Sequence, residues 1–346
     1  MLRENPADLA DDHASGLDRL RAAVASWMTV ERGIATSAEE VIIVSGCRQA
    51  HHILARLLLG DGKLAVVDTP FPRGAAAAFE SVGARVLRLP EMGFGPASRP
   101  LEGHDRPELI WLNVPHHHAA PETELRWWQR RQMLIDWAGR TGAPLVEFEG
   151  VDHALSLAPP AARDSRERLI RLGNFSPTLG PGVRLGYMIV PRGLVERAIS
   201  LKASLAMGHS WLEQSALARF IEDGGYTRHL RRICKILLER RAALIEGLRL
   251  HFPATMLEES TAEDHVSWVL PANFPAASTI RDQARARGIE VDTGEDGSHR
   301  AVNDGGQALN LSYARMNVQQ IAAGLAKLAA VIDSCSPCRP RSVASA

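Results

Sequence analysis

What most restricts the fold of this chain is a regular alternation of short β-rich runs and amphipathic helical stretches between residues 39 and 190. EEVIIVSG (39–46), LAVVDT (64–69), ARVLRLP (84–90), ELIWLNVP (108–115), PLVEFEG (144–150), LIRLGNF (169–175) and VRLGYMIV (183–190) read as strands. RQAHHILARLLL (48–59), AAAAFESV (75–82) and ETELRWWQRRQMLIDWAGRTG (122–142) read as helices between them. Such alternation indicates a largely parallel sheet with helices on both faces. A helix at Leu17–Gly33 precedes it. After Val195 come three helical stretches and a smaller α+β set ending in VQQIAAGLAKLAAVI. The division expected is an N-terminal arm and helix over 1–34, counted with the small domain, and a large α/β domain over 35–225. An interdomain helix and small α+β domain follow over 226–334, then a disordered tail over 335–346.

Lys+Arg and Asp+Glu balance at 40 each, which argues against an electrostatic nucleic-acid binder or a polybasic membrane reader. No apolar run approaches the ~18 residues of a membrane span. The acidic start lacks a signal core, and four Cys in 346 residues make no disulfide framework, so the expected compartment is a reducing cytoplasm.

In an open α/β sheet, ligands bind beyond the carboxyl ends of the strands. Those ends are Ser45–Gln49, Asp68–Arg73, Asn113–His118, Glu147–His153 and Asn174–Arg184. In that order they resemble the fold type I, pyridoxal-phosphate (PLP) dependent aminotransferases of class I/II, and most closely the aminotransferase-like domain of MocR-type regulators. RGIATSAEEVIIVSGCRQAHHILARLLL, VVDTPFPRGAAAAFESVGARVLRLP, GNFSPTLGPGVRLGYMIVP and SWLEQSALARFIEDGGYTRHLRRICKILLERRAALIEGLR carry the resemblance. It implies a seven-stranded, mostly parallel large-domain sheet, a homodimer, and a small-molecule ligand in the interdomain cleft. The helix-turn-helix that such regulators carry in front is expected to be absent, with no nucleic-acid or membrane partner.

On that resemblance the chemistry-bearing positions are replaced. The Schiff-base lysine aligns with Pro177, which has no amine. The aspartate facing the pyridine nitrogen aligns with Phe148, the tyrosine at the cofactor phenol oxygen with Gly150, and the substrate-gripping arginine with Asn310. DDHASG, where a partner subunit lends a tyrosine, has none. Lysines occur only at 63, 202, 235 and 327, away from the strand ends. The phosphate end is kept: Ser45, Gly46, Cys47 and Arg48 open a helix whose N–H groups favour an anion, with Ser176 and Arg184 beside it and Phe71 near the stacking position. Ser176 and Arg184 are equally what loop packing would retain.

Two neighbouring strand ends hold candidate metal ligands: His116, His117 and His118 in PHHHAAPE, and Glu149, Asp152 and His153 in EFEGVDH. Imidazole plus carboxylate suits zinc, iron or manganese. A His triplet on a loop is also ordinary polar surface. His117, Glu149 and His153 are the candidate catalytic residues. Cys335 and Cys338 form a lone C-x-x-C pair, Trp127, Trp128 and Trp137 suit core or dimer packing, and His51 and His52 suit the sheet or a partner.

The sequence therefore leads to a degenerate aminotransferase fold repurposed as a PLP-independent enzyme on an amino-acid-like or anionic substrate. That enzyme would have no covalent PLP and a candidate divalent metal. The alternatives are a catalytically inactive binding, regulatory or scaffold subunit, and a noncovalent PLP binder.

Overall fold

The computed structural model describes residues 14–68, 72–89, 106–113, 121–149, 168–206, 208–252, 257–258, 265–271, 273–293 and 308–335. Contacts divide the chain into two compact units, Met1–Arg231 and Arg232–Ala346.

The first unit is built on a seven-stranded sheet of β1 (Val41–Val44), β2 (Leu64–Val67), β3 (Arg85–Arg88), β4 (Leu109–Asn113), β5 (Leu145–Glu149), β6 (Leu169–Asn174) and β7 (Gly186–Ile189), in the order β1-β7-β6-β5-β4-β2-β3. Strands β3, β2, β4, β5 and β6 pair in parallel, while β7 runs antiparallel to both its neighbours, β6 and β1. VIIV and LAVV are buried along their whole length, as both-sided helical cover requires.

Each face has its own helices. Alternate residues Ile42, Val44, Ala65, Val67, Trp111, Val146, Ile170, Leu172 and Met188 pack with α2 (Cys47–Leu58), α3 (Arg73–Glu80) and α6 (Arg192–Leu205). Their neighbours on the other face pack with α1 (Asp18–Arg32) and α7 (Trp211–Glu222), through Val41, Ile43 and Tyr187, and with α4 (Pro121–Thr141), through Ile110, Leu112 and Leu145. Burying one such Val, Leu or Ile side chain contributes roughly 1.5–3 kcal/mol. The helix expected at Leu17–Gly33 is α1. It packs on β1 and α7 within the first unit, because Leu20, Val24, Trp27 and Met28 share the apolar layer of Val41 and Ile43.

The short α5 (Ser176–Leu179) precedes β7, and α8 (Gly225–His251) begins in the first unit and continues into the second. The second unit contains the antiparallel sheet β10-β9-β8 (Ala308–Ser312, His265–Val269, Leu257–Glu258) with α9 (Ala277–Ala286) and α10 (Val318–Cys335). Trp268, Phe252, Leu309 and Leu325 are in its core. The last helix runs to Cys335, the first residue of the expected tail; the rest of that expectation lies outside the described residues. Among the described residues no helix is long and apolar enough to cross a membrane.

Candidate functional site

Inserting β7 between β1 and β6 sets Val44 and Asn174 on either side of Gly186. Three sequence-distant segments, 45–48, 174–176 and 184, thereby meet at one end of the sheet. Gly46 is the residue before α2 and has φ 76°, a conformation a side chain at Cβ disfavours. No side chain caps α2, which leaves its first N–H groups directed at the site. Asn174 ties the segments together. Its Oδ1 accepts from the Ser176 N–H at 3.2 Å, and its Nδ2 lies 3.8 Å from Cys47 Sγ. The Ser45 N–H donates to Gln49 Oε1 at 2.8 Å, and the Ser45 hydroxyl is 3.2 Å from His209 Nδ1.

Burial pushes the Cys47 thiol up, outweighing the backbone N–H groups of Cys47 and Arg48 and then the charges of the exposed Arg184 and Arg48, so it stays protonated at neutral pH. Ser176 donates its single hydroxyl proton to the Val183 carbonyl, closing the loop that carries Arg184. In this rotamer it can accept from a ligand but not donate to one.

Behind the cup the surroundings are aromatic. Phe148 is half-buried and stacks on Trp111 at 6.0 Å and 25°. His51 stands edge-on to Trp111 at 5.4 Å and lies 6.2 Å from Phe148. Burial lowers its pKa to about 4, with the charges of His52 and Arg48 adding to the effect, so His51 is neutral at physiological pH. On the opposite face Glu147 is buried between Arg131 and Arg171, the latter at 3.1 Å. Burial alone would raise the Glu147 pKa, but the two guanidinium groups hold it below the usual carboxylate value.

Of the residues singled out in the sequence, the structure brings together Ser45, Gly46, Cys47, Arg48, Ser176 and Arg184. Pro177 is exposed in the first turn of α5, directly after Ser176. Asn310 belongs to the second unit, where its Oδ1 accepts from Ser267 at 2.8 Å and its backbone bridges to Asp292. The backbone of Glu149 ends β5 opposite Gly173. Phe71, His116, His117, His118, Gly150, Asp152 and His153 lie outside the described residues. Asp68, which opens the strand end Asp68–Arg73, pairs with Arg130 at 2.5 Å, and neither Arg130 nor His209 was singled out. No motif spacing marks them. Lys202 is fully buried, with Nζ donating to the Ala14 carbonyl, a placement its sequence neighbourhood does not announce.

No family model matches the chain. It is 31% identical over 254 residues to the probable rhizopine catabolism regulatory protein MocR of Rhizobium meliloti, covering 72% of this chain and 51% of that one. It is 26% identical to the 2-aminoadipate transaminase of Thermus thermophilus, over 90% of this chain and 79% of the relative. The chain spans about half to two thirds of the length of the first curated relatives it matches. Among solved structures it superposes on the α-aminoadipate aminotransferase of T. thermophilus complexed with N-(5′-phosphopyridoxyl)-L-leucine. That match has TM-score 0.78 and 24% identity, and covers 96% of this chain and 86% of that one. A multiple substrate aminotransferase of Thermococcus profundus matches with TM-score 0.78 and 22% identity, over 96% and 85% of the two chains. The fold is that of the type I PLP-dependent aminotransferases. The relatives are MocR-type regulators and aminotransferases, as the motifs implied.

These findings overturn one expectation from the sequence. A chain without covalent PLP and with a candidate divalent metal does not follow from relatives and neighbours that are PLP-dependent aminotransferases, which make PLP the expected cofactor. The metal reading rested on His/carboxylate clustering at two strand ends. His116, His117, His118, Asp152 and His153 lie outside the described residues, and no three His, Cys, Asp or Glu side chains converge among the described ones. The phosphate end fits PLP. A helix start with uncapped N–H groups and no Cβ at Gly46, flanked by two guanidinium groups, suits a phosphate dianion.

Proposed function

We propose that this chain binds PLP through its phosphate and acts as a ligand-binding or regulatory subunit rather than as a transaminase. The observation that supports this most is a formed anion cup directly beside a loop whose family lysine position, on the resemblance, is Pro177. Transamination needs an amine poised to exchange with the substrate's, and proline offers none. Phe148, engaged with Trp111 and His51, offers no carboxylate to a ring nitrogen, and Asn310, held by Ser267, offers no charge to a substrate carboxylate. The PLP-independent, metal-assisted enzyme expected from the sequence is withdrawn with its cofactor.

Bound PLP supplies an electron sink for amino-acid chemistry. This chain's residues bind and orient. The N–H groups at the start of α2 receive the phosphate, Arg184 and Arg48 balance its charge, and His209 fixes the Ser45 hydroxyl. The homodimer that the resemblance implies goes with this reading and is checked by light scattering.

The test is PLP titration of the wild-type chain and of Arg184→Ala, followed by addition of amino acids. The expected result is saturable binding that weakens roughly 10-fold or more in Arg184→Ala, as loss of a charge-assisted contact predicts, with no conversion of PLP to pyridoxamine phosphate. Conversion by the wild type, or equal binding by both proteins, would overturn the reading.

A further inference from the structure

At the opposite end of the sheet, three exposed arginines line one open pocket. Arg106 precedes β4, Arg168 precedes β6, and Arg140 is in the last turn of α4, which leads into β5. In-register pairing of β4, β5 and β6 makes these three segments adjacent. With Gly139, Thr141 and Gly142 they line an open surface depression of about 480 Å³. The pocket lies one strand length, ~16 Å for five residues, from the cup.

Gly142 explains how the guanidinium groups converge. Its φ of 73° ends α4, and a Cβ there would lie 2.6 Å from Arg106 Nη2 and 3.9 Å from Arg168 Nη1. Both groups therefore face the space that a side chain at 142 would fill. One contact is spent on the helix: Arg168 Nη1 donates to the Gly139 carbonyl at 3.4 Å. Of the acids close in sequence, Glu108 lies toward Lys63 at 3.9 Å and Asp136 bonds Gln132 at 2.8 Å, while Asp105 and Glu167 lie outside the described residues. Among the described residues none of the three arginines has a carboxylate within ion-pair distance.

A helix C-terminus accounts for a cation nearby, but not for three guanidinium forks lining one open pocket. Such a pocket concentrates positive potential, and planar forks match the oxygens of phosphate two at a time. No large apolar or aromatic side chain lines it, so it offers no stacking surface for a ring. We propose that the Arg106–Arg140–Arg168 pocket is a second anion site, separate from the PLP cup, for a pyrophosphate-type group, either free or as the tail of a nucleotide.

The test is calorimetric titration of the full chain with inorganic pyrophosphate and, separately, with ADP. The proteins compared are wild type, Arg106→Ala, Arg140→Ala and Arg168→Ala, with Arg184→Ala disabling the cup. The expected result is a salt-sensitive binding event that persists in Arg184→Ala and weakens roughly 10-fold in Arg106→Ala and Arg140→Ala, with PLP binding unchanged in those two. Arg168→Ala also removes a helix-end contact, so Arg168→Lys, which keeps the charge but not the fork, is the second variant at that position. It should weaken pyrophosphate binding at unchanged melting temperature. Tighter binding of ADP identifies a nucleotide as the source, and equal affinity identifies the free anion; either supports the site. No binding of either probe, binding lost in Arg184→Ala alone, or binding indifferent to all three pocket arginines would overturn it.

Discussion

His51 gives the site region a pH dependence that can be worked out in advance. Its ring is 1% exposed, wedged against Trp111 and Phe148, and its pKa falls from 6.5 to about 4. The depressed value means that the folded state resists protonation while the unfolded chain accepts a proton near pH 6.5. The stabilisation is therefore complete above that value, declines as pH falls through it, and levels off near pH 4. Linkage puts the loss between pH 7.5 and pH 5 at about 2 kcal/mol, rising to about 3 kcal/mol at the acid limit. Replacing His51 by Leu removes the titrating group while keeping an apolar side chain in the space. Urea unfolding of both proteins at pH 7.5 and pH 5 should show the wild type losing about 2 kcal/mol more than the variant. Equal losses would refute the claim that His51 is buried uncharged between these rings.

Three further outcomes follow. Glu147→Gln leaves Arg131 and Arg171 buried around a neutral amide and should cost roughly 3–5 kcal/mol in chemical unfolding. Because the Glu147 pKa is depressed, wild-type stability from this group should fall as pH drops below 4.5, a window that Glu147→Gln lacks in acid-unfolding curves. Gly46→Ala should cost about 1–2 kcal/mol through its positive φ, with weaker PLP binding by fluorescence titration. Pro177→Lys should yield borohydride-fixed PLP that peptide mapping assigns to residue 177; fixation absent from that residue would refute its placement beside the cup.

The sheet was legible in the sequence because its strands are short apolar runs bounded by turns, and each of the seven expected runs contains one of β1 to β7. The position of α1 was not. Its amphipathic pattern says that one face is buried, but not against which layer, and contact with Val41, Ile43 and Tyr187 is a tertiary fact. That segments 45–48, 174–176 and 184 lie at strand ends could be read because the helix start and the loop after β6 carry local motifs. His209 escaped because its role depends on distance in space alone: it sits in a connecting loop, far in sequence from Ser45. The Arg106–Arg140–Arg168 pocket escaped for the same reason, since nothing in the sequence says that the segments before β4 and β6 meet the end of α4.

The cup is assembled mostly from main chain: the first amides of one helix, a glycine without a side chain, and a loop closed by Ser176 on Val183. Occupancy and reactivity can therefore drift apart under mutation. On the proposed reading, a single replacement at position 177 would remove an amine while leaving the anchoring main chain in place.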